Sequence, residues 1–312
     1  MDLKRASGWV SERVTFPVGE HLSVPVYARA LAIDEPELCR FDAARAAGYG
    51  GRPVPPPMYA FFHVVPADVA TEELGFTWGR TLGAAVDFDT GRIATDADVL
   101  TGVAAVDAVW ERSGRDGAVR QFLRLVTDFT DAAGELVCRN TVLFMERKDG
   151  PADDAFLADG EPASPPAVRR SARTWRRPAP PVELGAELPA AAIPPVDRLM
   201  LARMSVAVEN PDPIHLDSDA ARAAGLPGVI GHGTTVVGLL YEPVRRWAGL
   251  DRVLSGHTTQ SRPFGPGTIL TASGRVVATG GEAGQSTATC ETSLVDGDGT
   301  MVGRGTFEVA AS

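Results

Sequence analysis

Asn210, Asp212, His215, His232 and Gly233 fall within about two dozen residues of one another, in the stretch SVAVENPDPIHLDSDAARAAGLPGVIGHGTTVVGLL that runs from Ser205 to Leu240. Imidazole is the side chain best matched to moving protons near neutral pH, so His215, on a turn stiffened by two prolines, is a candidate proton carrier. Gly231-His232-Gly233 opens an apolar segment with helical spacing. The N–H groups of a helix's first turn have no partner inside the helix, and the helix dipole favours negative charge beside them. A glycine there lets a carbonyl approach the backbone closely. The pair therefore suits chemistry that passes through an enolate-like oxygen, as in a thioester. Positions two apart in an extended turn face the same way, which puts Asn210 and Asp212 side by side. Of the two, only the carboxylate can accept a proton; the amide can orient water.

The elements that must carry these residues are written twice in the chain. Asp42-Ala-Ala-Arg-Ala-Ala-Gly48 is repeated letter for letter at Asp219 to Gly225, 177 residues later. Leu100-Thr101 returns at Leu270-Thr271, and Gly134-Glu-Leu-Val-Cys-Arg139-Asn-Thr141 is matched by Gly299-Thr-Met-Val-Gly-Arg304-Gly-Thr306. Three matches in order at nearly constant offset indicate an internal duplication. Each copy reads as a loop, short helices, then antiparallel strands, with the first copy's strands between residues 81 and 147. Apolar and Ala positions from Val26 to Leu38 recur at helical spacing, and glycine stops the small helix that follows. Asp217 and Asp219 are placed as N-terminal caps of its second-copy counterpart. The expected organisation is an N-terminal unit over residues 1–147, a Pro/Ala/Arg-rich linker over 148–190, and a C-terminal unit over 191–312 that carries the site.

Laid over each other, the copies differ where chemistry is at stake. His215 corresponds to Leu38, Asn210 to Ile33, Asp212 to Glu35, His232 to Pro55 and Gly233 to Pro56. Proline has no N–H to offer, so the first copy cannot bind an oxyanion in the same way. One competent site per chain is the consequence.

With 312 residues two similar-sized units are expected, and at 44% hydrophobic and 22% charged the chain can bury a real core. A formal charge of -10 argues against nucleic-acid binding, which rests on clustered Lys and Arg. Cys39, Cys138 and Cys290 share no metal-ligand spacing and are expected as thiols of a reducing compartment. The opening residues lack a signal-peptide core and no run is long and apolar enough to span a bilayer, so a cytoplasmic location is expected. No glycine-rich nucleotide loop, metal triad or nucleophile elbow is present in the sequence, and no cofactor or metal is expected. Arg169, Arg170, Arg173, Arg176 and Arg177 in the linker could receive an anionic carrier or simply solvate a connector. His21, His63 and His257 are assigned structural roles, and Met58 to Phe62 a place in the core.

NPDPIHLD, AARAAG and GVIGHGT together are similar to the signature of the MaoC-like hydratases and dehydratases. Ser261-Arg-Pro-Phe-Gly-Pro-Gly267-Thr-Ile-Leu270 resembles that family's strand entry, and AARAAGYGGRPVPPPMYAFF the degenerate N-terminal copy of fused members. The resemblance implies an α+β tandem double hot dog, with antiparallel sheets each wrapped around a central helix. It implies water addition or removal at C2–C3 of an enoyl or 3-hydroxyacyl thioester, carried on CoA or an acyl carrier protein, in lipid or polyketide metabolism. A homodimer is compatible with it. By the same resemblance His215 is the catalytic imidazole and Gly233 the oxyanion donor, with His232 either beside it at the substrate or a ring that serves only to lock the helix start. The family's Asp is Asn210 here, with Asp212 where the family has Asn. Three outcomes stay open: hydratase chemistry through Asp212 and His215, a diverged cyclase or isomerase, or a non-catalytic thioester-binding partner subunit.

Overall fold

The computed structural model describes residues 1–60, 67–77, 79–114, 116–158, 160–163, 175–282 and 285–311. Its helices in chain order are α1 (Leu3–Ala6), α2 (Val18–His21), α3 (Val24–Ala30), α4 (Pro36–Cys39), α5 (Phe41–Ala46), α6 (Ala67–Leu74), α7 (Arg198–Ala207), α8 (Ser218–Ala223) and α9 (Gly233–Ala248). The strands are β1 (Val14–Pro17), β2 (Leu82–Thr90), β3 (Val99–Ser113), β4 (Val119–Thr130), β5 (Leu136–Arg147), β6 (Ala191–Ala192), β7 (Val253–Gln260), β8 (Leu270–Glu282), β9 (Gln285–Asp296) and β10 (Met301–Ala310).

The strands form one antiparallel sheet in the order β1-β3-β4-β5-β2-β7-β10-β9-β8-β6. The order is symmetric about the seam between β2 and β7, where Ala85 faces Thr259 and Asp89 faces Ser255. The duplication is thus built as two half-sheets that share their inner edges, and each half covers the other's unpaired strand. His257 and Asp87 bond across the seam at 2.5 Å, the structural role expected of that histidine.

The copies agree down to single hydrogen bonds. α5 and α8 coincide residue for residue at the 177-residue offset, and each ends on a left-handed glycine, Gly48 with φ 85° and Gly225 with φ 84°. Among the described residues Ala32 (φ 51°) and Glu209 (φ 48°) are the non-glycine residues with positive φ, and they too occupy equivalent positions. Each follows a helix whose last turn closes with the same backbone bond, Ile33 N–H to Ala28 O at 2.8 Å and Asn210 N–H to Ser205 O at 3.0 Å. That closure is a helix C-cap motif that demands a left-handed residue. It also explains why the helical spacing from Val26 to Leu38 yields two helices, α3 and α4, on either side of Ala32.

The central helices differ. α9 is buried from Thr234 to Arg245 and lies against the half-sheet β7 to β10. Its apolar residues form one broad face, and the opposite face, with Thr234, Thr235, Glu242 and Arg245, is buried as well, as in a core helix. Gly238, costly in mid-helix, is where α3 crosses, since a Cβ there would collide with the Tyr27 hydroxyl. Glu242 and Arg245 escape the cost of burial by pairing, Nε to Oε1 at 2.6 Å and Nη2 to Oε2 at 3.0 Å. In the first half the matching position opens on Pro55-Pro56-Pro57, and a 3₁₀ turn, Pro56–Tyr59, stands where α9 begins. Successive prolines remove the donors a helix needs. Met58 and Tyr59 are core residues as expected; Phe61, Phe62 and His63 lie outside the described residues.

Arg169, Arg170 and Arg173 also lie outside the described residues. Arg176 and Arg177 staple the linker to both halves. The Arg176 guanidinium covers the Tyr49 ring at 4.3 Å while the backbone N–H of Arg176 donates to Asp251 at 2.5 Å. Arg177 binds Glu37 at 2.8 Å, and its carbonyl accepts from Arg252. The three cysteines are free thiols. Among the described residues no helix is long and apolar enough to cross a membrane.

Candidate active site

The site is built on a turn that holds itself rigid through consecutive side-chain caps. After Glu209 the Asn210 Oδ1 accepts from the Asp212 N–H at 3.2 Å, and Asp212 Oδ1 accepts from the Ile214 N–H at 3.1 Å. Asp212 thereby caps the 3₁₀ turn Pro213–His215 and commits one carboxylate oxygen to the backbone. Its second oxygen makes no hydrogen bond to a described residue and is free to act.

The turn is clamped to the loop that leads into α9. Ile230 N–H donates to Ile214 O at 3.1 Å, and His215 Nδ1 bonds Ile230 O at 2.9 Å. A carbonyl can only accept, so the proton sits on Nδ1 and the neutral ring offers its Nε2 lone pair. Burial lowers the His215 pKa below the ordinary imidazole value, opposed by the Ile230 carbonyl and the Asp212 charge. His215 is therefore a neutral imidazole, a base in form, at physiological pH.

Gly231 N–H donates to Phe264 O at 2.7 Å, and a Cβ at Gly231 would run into the Phe264 ring. That contact sets the entry into α9, with His232 as N-cap in extended conformation and Gly233 as the first helical residue. The Gly233 N–H is one of the donors the helix itself cannot use.

Asn210, Asp212, His215 and Gly233 line one cavity of about 410 Å³. The structure brings these four expected residues together. His232 stands elsewhere. It is wholly buried, does not line the cavity, and stacks against the far side of His215 with ring centroids 3.8 Å apart. Its Nε2 shares a 2.8 Å hydrogen bond with Ser205 Oγ. Burial pushes its pKa well below the usual value, and the neighbouring His215 adds to this against the Asn210 carbonyl. His232 therefore backs His215 and the turn, closer to the role of locking the helix start than to the substrate-side role that the sequence also allowed.

The rest of the cavity was not legible in the second copy's motif. Ala70, Phe76, Leu82, Phe144 and Met145 come from the first half and give the cavity an apolar wall. Gln260 at the end of β7 joins them. Only the alternation of β2 and β5 hinted at inward residues, and nothing in it pointed across to the other copy. Among the described residues no group of His, Cys, Asp and Glu could hold a metal ion.

Comparison with known proteins adds the following. Residues 5–140 match a family described as FAS1-like, dehydratase domain region. A UPF0336 protein of Clavibacter michiganensis subsp. michiganensis is 38% identical over 130 residues, 38% of this chain and 85% of the relative. A MaoC-like dehydratase structure superposes with a TM-score of 0.78 at 22% identity, covering 99% of both chains. A conserved hypothetical protein of Mycobacterium tuberculosis described as a double hotdog fold gives a TM-score of 0.62 at 18% identity, over 97% of this chain and 96% of that one. A MaoC-like dehydratase from Phytophthora capsici gives 0.62 at 14% identity, over 99% and 98%. These structural likenesses carry the fold.

Proposed function

The chain belongs to the MaoC-like dehydratase family, in a double hot dog form, and on that premise we propose that its C-terminal half adds water to, or removes it from, C2–C3 of an acyl thioester. The observation that carries the reading is the convergence of a free carboxylate oxygen, a neutral imidazole and an unpaired helix-tip N–H on one cavity.

In the hydration direction the thioester carbonyl rests on the Gly233 N–H at the positive end of α9. Water sits between the free oxygen of Asp212 and Nε2 of His215. Its oxygen bonds to C3 as its proton passes to Nε2, and the C2–C3 π electrons move onto the carbonyl oxygen. That oxyanion is held by the Gly233 N–H and the helix dipole. The imidazolium, steadied by Asp212, then returns its proton to C2 as the carbonyl re-forms. Both transfers use one face of the substrate. Asn210 takes no proton; it holds the Asp212 backbone in place. The exchange of acid and amide relative to the family pattern is thus compatible with the family's chemistry, with Asp212 as the working carboxylate. The apolar wall from the first half suits an acyl chain carried on CoA or an acyl carrier protein.

Loss of enoyl absorbance from crotonyl-CoA tests this. His215→Ala and Asp212→Asn are each expected to lower the rate by about 10²- to 10⁴-fold, the usual cost of a lost acid–base group. Undiminished hydration in Asp212→Asn would overturn the assignment of the carboxylate. Binding without turnover on any simple thioester would favour the cyclase or isomerase reading, or a partner subunit.

A further inference from the structure

Gln260 ends β7 and lines the cavity, and its side-chain Nε2 is buried without a hydrogen-bond partner among the described residues. Its surroundings explain why the protein offers none. Ala85 pairs with Thr259 across the seam, so Gln260 comes opposite Ala84, where the β2 register shifts between Gly83 and Ala85. On its other side it pairs with Gly303 of β10, and a Cβ at Gly303 would stand 2.7 Å from Val236 Cγ1 of α9. Its strand neighbours Ala84 and Gly303 carry no polar side chain, and neither does Val236 beside Gly303.

A buried donor without an acceptor is costly, and folded proteins rarely leave one. An apolar acyl channel alone would be served better by leucine at this position. Val236 lies three residues into α9 from Gly233, roughly 4.5 Å along the helix axis. The strand position of Gln260 thus meets α9 near Val236, one turn beyond the Gly233 tip, on the cavity wall where β2 and β7 meet. We propose that Gln260 is a specificity residue whose amide hydrogen-bonds an oxygen carried on the acyl chain, and that the substrates are enoyl or 3-hydroxyacyl thioesters with a further oxygen function beyond C3. This rests on the hydratase reading for the reaction and on the cavity alone for the contact. A site that offers a hydrogen bond in an otherwise apolar wall discriminates against the analogue that lacks the partner, because the site's own group is then left unpaired.

The test compares trans-2-octenoyl-CoA with isologues bearing one keto oxygen at C5, C6 or C7, using the full chain and Gln260→Leu. In the wild type, kcat/KM for at least one keto isologue is expected to exceed that of the plain chain by roughly tenfold. In Gln260→Leu the ratio is expected to fall to about one, as the keto substrate loses its partner and the plain chain gains an apolar wall. Thermal unfolding of the variant at or above the wild-type midpoint shows that the fold survives. A wild-type preference for the plain chain at every position overturns the proposal, as does an unchanged ratio in the variant. So does an equal loss of kcat on plain and keto substrates, which would assign the amide to the thioester carbonyl. If the wild type turns over none of them, the hydratase reading fails. The amide is then judged by calorimetric Kd values for the same thioesters: tighter keto binding that vanishes in Gln260→Leu sustains it, and equal affinities overturn it.

Discussion

Pro56 and Gly233 occupy the same place in the two copies and differ by one hydrogen-bond donor. Proline is tolerated at the first helical position, and His232 already has the extended conformation that a following proline requires (φ -68°, ψ 145°). Gly233→Pro is thus expected to keep the fold, with unchanged circular dichroism, while kcat on a thioester substrate falls by about 10²- to 10³-fold. A variant with normal kcat would remove the helix tip from the mechanism. The turn Asn210-Pro-Asp212-Pro-Ile-His215 was legible in the sequence because it is held by bonds between near neighbours. The side of His215 on which His232 stands was not. That depends on Ser205 in α7, and the spacing of residues along the chain does not say which face of a ring a distant hydroxyl will reach.

The turns that end α3 and α7 show what the duplication conserved. Each places a residue with a side chain in the left-handed region, Ala32 and Glu209, at a cost of about 1 to 2 kcal/mol relative to glycine. Glu209 recovers part of this by bonding His21 at 2.9 Å across the two halves. Ala32 is exposed and has no such compensation. Ala32→Gly should therefore stabilise the protein by about 0.5 to 1 kcal/mol, after the greater unfolded-state entropy of glycine is subtracted. A urea midpoint that falls on this substitution would contradict the account. The heptad repeat was readable because its letters are identical, and its helices duly coincide. The failure of a long first-half helix at Pro55-Pro56-Pro57 was equally readable, since proline acts locally.

At the scale of the whole molecule, the position that carries Asp212 in the second copy carries Glu35 in the first, and Glu35 faces Arg245 of α9 at 3.2 Å. The would-be second site is filled by an ion-pair cluster of Glu35, Glu242 and Arg245 that ties the halves together. Removing one member of a buried pair strands the other, so Arg245→Met is expected to cost about 3 to 5 kcal/mol of stability. Its chemical denaturation midpoint should fall while kcat per folded molecule stays near wild type. The stacked histidines make a second prediction at this scale. Both have folded pKa values below the ordinary 6.5, so the unfolded chain takes up protons that the native state refuses. The stability they contribute is complete above about pH 6.5 and is lost as the pH falls below it, by up to about 1.4 kcal/mol per pH unit for each proton. His232→Phe should flatten that slope, measured as unfolding midpoints between pH 5 and 7; an unchanged slope would mean that His232 is protonated in the native state.

The amino-acid sequence alone determined the doubling, the replacement of the second copy's polar positions by Ile33, Leu38 and two prolines in the first, and the turn and helix tip of the second. Each depends on periodicity, prolines, caps or identical letters, which act between residues close along the chain. Tertiary structure alone decided that His232 stands behind His215, that the first half supplies the apolar wall, and that Gln260 faces that wall with an unpaired amide. The first follows from the reach of Ser205 in α7 to His232, and the other two from the pairing of β2 with β7, which joins residues more than 150 positions apart. Their meeting is set by the summed burial of two half-sheets and by no local pattern.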